Sequence, residues 1–415
     1  MIVIGFGFAG YYAVKAMRDG GYTGEIMVCT DVTEAPCNPM LSTYYVGGKI
    51  GRAGQMPFGG LEEIAERYHL TICRKRVALV NATRRIIQLE DGTEQEFERL
   101  LICTGARAFL PNLGEYSERN VVAMRTMEDA DRLYNRLKCK DVRSAIIVGA
   151  SMTGIKVVEL LHKRGIHCTL VDAAQSIFPL STLPETARKI ETHVSGHEVD
   201  LMFGTGISEI CEKDNRLEVI FSNGKRQHTD LVALCVGTRA NTELVDTNEI
   251  AVDRGILVNS RMETSAPYVY AAGDCSAGTN LQTGQRQIIG LLANAAHQGE
   301  CAGKNMIGVP AEYEGTILHN ITAVFGEYFI GLGDNRCAGQ HRTFTSFDGK
   351  IFVEMMKNGH RIECINLFGG YEISGIIKAI FVRQLNCPGA GVTAAEAGRL
   401  RAVGFPDELL KELGV

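Results

Sequence analysis

The chain has 415 residues, of which 45% are apolar and 22% charged, and its formal net charge is −5. This composition is typical of a soluble globular protein of about three domains, at the usual ~150 residues per domain. The basic residues are spread along the chain and form no basic patch in the sequence, which argues against nucleic-acid binding. No stretch of about 18 uncharged apolar residues predicts a membrane span. We therefore expect a cytoplasmic protein.

Thirteen cysteines are scattered along the chain and are never spaced Cys-x-x-Cys. An odd, scattered set in a chain of this size is typical of small core side chains kept reduced, not of a disulfide framework. No cluster has zinc spacing, and no four-cysteine series suits an iron–sulfur cluster. The sequence therefore predicts no metal site.

The N-terminus reads as the first half of a nucleotide-binding βαβ unit. A β-branched strand, Ile2–Ile4, runs into Gly5-Phe6-Gly7-Phe8-Ala9-Gly10, and a helix is predicted from Gly10 to about Gly20. Gly5 allows the sharp turn, Gly7 lets a pyrophosphate approach the backbone, and Gly10 lets the helix pack close to the strand. A tight βα connection without a ligand is the alternative, because such glycine turns are common.

A second strand is predicted at Glu25–Thr30 and ends in Asp31. That residue lies about twenty positions after the glycine turn, where a carboxylate can accept hydrogen bonds from ribose hydroxyls, although a solvated loop aspartate is the alternative. The prolines and glycines of residues 35–48 predict a loop that enters a short helix. A helix over Leu61–His69 and a small β-meander lead to the buried run Leu100–Cys103, which closes on Thr104 and Gly105.

The same order of elements then recurs. The run Ala145–Val148 precedes Gly149-Ala150-Ser151-Met152-Thr153-Gly154, a helix follows to about Arg164, and the strand Cys168–Val171 ends in Asp172. A second meander closes on Gly237. The repetition indicates an internal duplication of one nucleotide-binding α/β architecture.

Only the first copy is followed, far downstream in the sequence, by a segment that completes it. The segment Thr264–Asp274 is an apolar strand ending in Gly273 and Asp274. An aspartate at such a strand end suits a hydrogen bond to a ribityl hydroxyl of FAD. A helix predicted over Ile288–Met306 could stabilise negative charge on a reduced flavin through its N-terminus.

Together these residues resemble the FAD-dependent pyridine nucleotide-disulfide oxidoreductase superfamily, in the branch of ferredoxin and rubredoxin reductases, NADH oxidases and CoA-disulfide reductases. The strongest matches are Thr264–Asp274, the Thr104-Gly105 crossover and the run Ala293–Gly299. The resemblance implies an α/β fold of two Rossmann-like domains, with an FAD domain split by an inserted NAD domain, and a C-terminal α+β interface domain. The implied boundaries are 1–112 and 241–310 for FAD, 113–240 for NAD(P), and 311–415 for the interface domain.

The resemblance also assigns the cofactors, FAD and NADH. Asp172 would accept from the ribose 2′-hydroxyl and repel a 2′-phosphate, and no Arg or Lys follows it, which favours NADH over NADPH. The residues expected at FAD are Gly5, Gly7, Phe8, Ala9, Gly10, Asp31, Asn38, Ser42, Thr104, Gly105, Gly273 and Asp274; those expected at the nicotinamide cofactor are Gly149, Ser151, Thr153, Gly154, Asp172 and Gly237.

Three departures from the family pattern bear on the chemistry. Met40 stands where one branch has a redox cysteine, and a thioether cannot act as a thiolate. Cys37, three residues earlier, could be a displaced redox thiol or an inert one. Lys156 replaces a frequent glutamate after the second glycine turn, which leaves nicotinamide binding less certain.

The sequence therefore predicts an FAD-dependent NADH:acceptor oxidoreductase without an active-site disulfide. The expected acceptor is an iron–sulfur protein or a partner subunit. The alternatives are an oxidase or thiol reductase that uses Cys37, and a flavin-bearing scaffold with impaired NADH binding. The C-terminal domain, with strands near Ile351–Met356 and Glu363–Phe368 and a helix after Gly375, would form a homodimer interface. Its helical tail, from Asn386 to Val415, would cover a partner, the flavin edge or only the dimer.

Overall fold

A computed structural model gives the fold and describes residues 1–32, 34, 36–213, 216–387 and 389–414. Ala35, Pro388 and Val415, which fall in the predicted loop and tail, lie outside the described residues. The chain divides into two compact units. The first unit comprises Met1–Phe109, Arg125–Ala130 and Thr238–Thr316; the second comprises Leu110–Met124, Asp131–Gly237 and Ile317–Val415.

Ten α-helices are present in the described residues. Their bounds are α1 Phe8–Asp19, α2 Ser42–Val46, α3 Leu61–Tyr68, α4 Met127–Lys138, α5 Met152–His162, α6 Pro184–Ser195, α7 Leu292–Met306, α8 Ser374–Asn386, α9 Ala394–Ala402 and α10 Asp407–Glu412. Short 3₁₀ helices cover Pro39–Leu41, Arg52–Gln55 and Tyr371–Ile373. No helix of the described ranges is both long and apolar enough to cross a bilayer.

The first unit is organised around a five-stranded parallel sheet. Its strands, in spatial order, are Val269–Ala271, Leu100–Ile102, Ile2–Ile4, Ile26–Cys29 and Leu70–Cys73. The three central strands are apolar and buried almost throughout, as expected for a parallel sheet covered on both faces. The first strand therefore pairs with Leu100–Ile102, and that strand in turn with Val269–Ala271, whose sequence lies far downstream.

Three smaller sheets complete the first unit. They are an antiparallel meander of Val77–Asn81, Ile86–Leu89 and Glu94–Glu96; a pair of Ala106–Ala108 with Thr238–Ala240; and a sheet of Ile256–Leu257, Ser276–Thr279 and Arg286–Gln287.

Helices α1 and α7 pack closely against each other because both carry small residues at their contact. A Cβ atom at Gly299 would lie 2.1 Å from the carbonyl oxygen of Ala9, and one at Gly303 would lie 2.4 Å from that of Ala13. These distances are far below van der Waals contact, so only glycine fits at either position.

The second unit repeats the parallel sheet. Its strands, in order, are Asp200–Phe203, His167–Asp172, Ser144–Val148, Leu231–Leu234 and Val121–Ala123. An antiparallel meander follows, with strands Ile207–Lys213, Arg216–Phe221 and Arg226–Thr229. The predicted duplication is therefore present in the backbone, although the edge strands of the two sheets come from different places in the chain.

A five-stranded antiparallel sheet forms the rest of the second unit, with the order His319–Val324, Glu327–Gly333, Arg361–Phe368, Phe352–Asn358 and Gln340–Thr345. Helix α6 is tied to it by buried polar contacts. The carboxylate of Glu354 accepts from the backbone N–H of Thr186 at 2.7 Å, and Asn366 Oδ1 accepts from the N–H of Leu183 at 2.6 Å.

Several predicted element ends need correction. Helix α1 begins at Phe8, two residues before the predicted Gly10, because Gly7 already has the extended conformation of an N-cap. Helix α7 begins at Leu292 and not near Ile288, because Leu291 is extended (φ −121°, ψ 137°) and Arg286–Gln287 pair as a strand. The tail is helical, as predicted, and contains the two helices α9 and α10.

Candidate functional site

A cavity of about 310 Å³ opens in the first unit at the carboxyl ends of its parallel strands, where ligands of such sheets bind. Ten of the residues expected at FAD or as a redox thiol line it, together with Pro39 of the segment that carries Met40: Gly5, Gly7, Phe8, Ala9, Asp31, Cys37, Thr104, Gly105, Gly273 and Asp274. Gly10, Asn38 and Ser42 do not line it.

The glycine turn is shaped by two steric constraints. Gly5 has φ +85°, and a Cβ atom there would lie 2.5 Å from the carbonyl oxygen of Cys103. A Cβ at Gly10 would lie 2.8 Å from the carbonyl oxygen of Gly5. Gly7 differs, because a Cβ there meets no atom within 4 Å. The chain itself does not require glycine at that position, so the open space beside Gly7 is free for a bound group.

The N-terminus of α1 faces this space without a side-chain cap. Gly7 is its N-cap, and among the residues that the structure describes no side chain caps the helix through a hydrogen bond. Free N–H groups at a helix N-terminus carry partial positive charge and bind anions. The turn therefore fits the pyrophosphate of a dinucleotide.

Asp274 also lines the cavity, and it is paired with a cation that the sequence did not predict. Its Oδ2 accepts from Nη2 of Arg125 at 2.6 Å, and both side chains are largely buried. Arg125 Nε also donates to the carbonyl oxygen of Ala106. Asp129 holds this arginine in place by accepting from the N–H groups of Arg125 and Thr126. The Thr-x-x-Asp spacing of Thr126 and Asp129 is a helix-capping signal that could have drawn attention to the arginine before it.

The remaining predicted residues of this unit have varied surroundings. Asp31 is exposed at the cavity. Thr104 is bound to Asn241, because its Oγ1 donates to the Asn241 carbonyl at 2.6 Å and its own carbonyl accepts from Asn241 Nδ2. Asn38 caps the 3₁₀ helix Pro39–Leu41, with its Oδ1 accepting from the N–H of Met40 at 3.0 Å.

Ser42 is buried at the start of α2, and its Oγ has no hydrogen-bond partner among the described residues. The same holds for both amide atoms of Gln55, which is fully buried. Unpartnered buried polar atoms are rare in native proteins and are expected to be completed by water or a bound group. Neither residue lines the cavity, so a contact with FAD is a prediction for Ser42.

Cys37 and Met40 differ in their exposure. Met40 is 64% exposed. Cys37 lies at the cavity, and the pKa of its thiol is raised, mainly by burial and then by the nearby carboxylates of Glu128 and Glu34. Its side chain is therefore a neutral thiol near pH 7. Within the described part of the chain, no three His, Cys, Asp or Glu side chains are grouped as metal ligands would be.

The second unit reproduces the turn but fills it differently. Gly149 has φ +104°, and a Cβ there would lie 2.3 Å from the carbonyl oxygen of Cys235. Ser151 replaces the central glycine; its Oγ caps α5 by accepting from the N–H of Gly154 and donates to the carbonyl of Cys235. The Ser151 hydroxyl is therefore already bonded to the protein's own backbone on both sides of this turn.

Asp172 also binds the protein's backbone. Its Oδ2 accepts from the N–H of Ala150 at 2.7 Å and its Oδ1 from that of Ala174 at 2.8 Å. Each carboxylate oxygen keeps a further lone pair, so an additional bond to a ribose hydroxyl is chemically possible. Thr153 is exposed in the first turn of α5, and Gly237 has φ +99° after the strand Leu231–Leu234.

Lys156 on α5 joins two parts of the second unit. Its Nζ donates to Glu159 Oε2 at 2.8 Å and to the carbonyl oxygen of Ala323. The other Glu159 oxygen accepts from the N–H of Phe325, in the turn between His319–Val324 and Glu327–Gly333. Lys156 thus forms part of a packed polar contact between α5 and the C-terminal sheet.

Comparison with known proteins agrees with this geometry. The family described as pyridine nucleotide-disulphide oxidoreductase matches residues 1–299. An NADH oxidase of Methanocaldococcus jannaschii is 26% identical over 336 residues, which cover 80% of this chain and 75% of that protein. The epsilon subunit of the NADH-dependent phenylglyoxylate dehydrogenase of Aromatoleum evansii is 26% identical over 353 residues, covering 84% and 82%.

Among solved structures, putidaredoxin reductase in a covalent complex with putidaredoxin matches with a TM-score of 0.86 at 21% identity. The match covers 99% of this chain and 97% of that one. At this identity the likeness concerns the fold, and it confirms the predicted fold class.

Proposed function

The chain belongs to the pyridine nucleotide-disulphide oxidoreductase family, and from this premise we propose that it carries electrons from NADH through FAD to a protein acceptor, without an active-site disulfide. Membership makes it an FAD-dependent NAD(P)H oxidoreductase, as predicted. The proposal adds the exit route, the preference for NADH over NADPH, and the acceptor: an iron–sulfur protein or a partner subunit.

Direct transfer of electrons from FAD to the acceptor is supported by the chemistry of two sulfur atoms, those of Met40 and Cys37. The sequence resemblance assigns Met40 to the position where one branch of the family has a redox cysteine, and Met40 is exposed and has no thiol. Burial raises the pKa of the Cys37 thiol, and the carboxylates of Glu128 and Glu34 raise it further. A thiol must ionise to act as a nucleophile, so this environment opposes the chemistry that a redox cysteine performs. Electrons would then leave FAD directly.

The chain's own groups would hold the cofactor by charge and shape. The uncapped N-terminus of α1 and the guanidinium of Arg125 both suit the pyrophosphate, and the missing Cβ of Gly7 leaves room for it. Asp274 would hydrogen-bond a ribityl hydroxyl, and the N-terminus of α7 would favour negative charge. FAD itself supplies the exchange between two-electron and one-electron chemistry when bound.

The relatives support a protein acceptor. One is a named subunit of a dehydrogenase, and a solved structure holds a reductase together with putidaredoxin. Both arrangements are consistent with a flavoprotein that hands electrons to another polypeptide. We extend this role to the present chain as part of the proposal, and we retain a homodimer as an expectation for the C-terminal sheet.

The test is anaerobic stopped-flow spectroscopy of the purified protein. NADH should bleach the flavin absorbance, and a ferredoxin- or rubredoxin-type protein should reoxidise it. Cys37→Ser should keep both rates within about twofold, with Cys139→Ser, at an exposed cysteine, as the matched control. Flavin that NADH fails to reduce would refute the proposal.

Two alternatives give different results in the same experiment. The NADH oxidase relative favours an oxidase; a thiol reductase or oxidase dependent on Cys37 would lose turnover in Cys37→Ser but not in Cys139→Ser. A flavin-bearing scaffold would keep FAD and show no binding of NADH. The contacts of Lys156 with Glu159 and Ala323 give that lysine a packing role, so the scaffold is the less supported of the two.

A further inference from the structure

Three buried polar side chains form a connected cluster, the relay, behind the cavity of the first unit, and both hydrogen bonds and packing hold it together. Asn294 and Gln298 lie one turn apart on α7, and Tyr313 lies in the segment after that helix. Their exposures are 5%, 1% and 6%. Buried polar groups cost free energy unless they are paired, so the partners of this trio determine what it does.

Hydrogen bonds tie these side chains to the Asp274 turn and to the segment before α7. The Tyr313 hydroxyl donates to Oδ1 of Asn294, and Nδ2 of Asn294 donates to the carbonyl oxygen of Ile289 at 2.8 Å. Oε1 of Gln298 accepts from the N–H of Gly273 at 2.8 Å. The Tyr313 ring lies beside the Gln298 side chain.

Packing keeps this arrangement from rearranging. A Cβ atom at Gly278 would lie 2.6 Å from Nε2 of Gln298 and 3.1 Å from Cε1 of Tyr313, so the two side chains fill the space above that glycine. Burial raises the pKa of Tyr313 to about 12. The hydroxyl therefore keeps its proton and its donor role at every physiological pH.

Both ends of the relay reach the cavity wall. At one end Gln298 holds Gly273, which lines the cavity together with Asp274. At the other end Asn294 holds Ile289, just before α7, whose residues Leu292 and Ala295 also line the cavity. Tyr313 contacts both halves, with its hydroxyl at Asn294 and its ring beside Gln298.

We propose that Tyr313 is a positioning residue, which fixes the Asp274 turn relative to the N-terminus of α7 and thereby sets the affinity of the first unit for FAD. The inference rests on the proposed function only in taking this cavity as the FAD site. Tyr313 does not line the cavity, so its effect is transmitted through Asn294 and Gln298.

The experiment compares Tyr313→Phe with Tyr270→Phe in the full chain. Tyr270 is the matched control, because it is equally buried at 6% and its hydroxyl donates to the carbonyl of Asn305, at the opposite end of α7. Each variant loses one hydroxyl and keeps the ring. The Kd of FAD, measured by titrating the apoprotein and following flavin fluorescence, should rise about tenfold in Tyr313→Phe, in line with one broken buried hydrogen bond. It should change less than about twofold in Tyr270→Phe.

Asn294→Ala is the second variant and covers the case in which Tyr313→Phe does not fold. It breaks the relay at the helix end and should raise the Kd of FAD by a similar factor, with altered visible circular dichroism of the bound flavin. Equal Kd values and spectra for the Tyr313 and Tyr270 variants overturn the inference, as does wild-type protein that binds no FAD. Failure of NADH to reduce bound flavin overturns the proposed function alone, since the Kd comparison still stands.

Discussion

The two glycine turns of this chain share their steric design and differ in what they offer a ligand. In each, the first glycine lies so close to a cysteine carbonyl that a Cβ would overlap it, at 2.5 Å for Gly5 against Cys103 and 2.3 Å for Gly149 against Cys235. Where a ligand would lie, the first turn has the open Gly7 and the second has Ser151, which is bonded to its own helix. Sterics of the backbone have preserved the duplicated turn, whereas its ligand-facing side has diverged.

The largest expected effect tests the shared design. Gly5→Ala and Gly149→Ala should each destabilise their own unit by about 3 kcal/mol or more, because left-handed strain and overlap with a carbonyl add together. Gly21→Ala and Gly165→Ala are the matched controls, since both have positive φ but no atom within 4 Å of a Cβ. They should lose only about 1 kcal/mol in chemical denaturation. Equal losses in all four variants would show that backbone strain alone matters.

An effect of intermediate size on stability is expected to distinguish Asp172 of the second unit from Asp31 of the first. Asp172→Asn should destabilise the second unit by about 1–3 kcal/mol, because an amide has one oxygen for the two N–H groups that the carboxylate now satisfies. Asp31 is exposed, so Asp31→Asn should change the free energy of unfolding by less than about 0.5 kcal/mol while weakening FAD binding. Denaturation curves and flavin titration measure the two quantities. A stable Asp172→Asn would mean that its backbone bonds contribute little.

The smallest expected effect concerns Ser151. Replacing Ser151 with glycine restores the family's residue and removes one cap bond, so a loss of only a few tenths of a kcal/mol is expected. The Kd of NADH should stay within about threefold of the wild-type value, by isothermal titration. A gain in affinity of tenfold or more would instead show that the serine obstructs the turn.

Periodicity and glycine spacing predicted the two strand–turn–helix units, because steric rules fix which residues fit a βα turn, and the family resemblance extended the prediction to the other residues of the cavity. The start of α7 was misplaced by four residues, since the apolar run Ile288–Leu291 is equally compatible with a helix and with the extended backbone that it adopts. Arg125 was missed for a different reason. Its pairing with Asp274 joins residues far apart in the sequence, and no local pattern encodes such a contact.

The glycine contact between α1 and α7 also constrains how the protein is made. Ala9 can make this contact only after Gly299 has been synthesised, about 290 residues later. At ribosomal rates of ~5–20 residues per second, that synthesis takes roughly 15–60 s. Until then the strand Leu100–Ile102 lacks its neighbour Val269–Ala271 and presents an open edge, a known aggregation risk. Contacts of such long sequence separation also slow refolding. The first unit should therefore become protease-resistant only after residues 238–316 have left the ribosome, although its N-terminal strand is the first part of the chain to emerge.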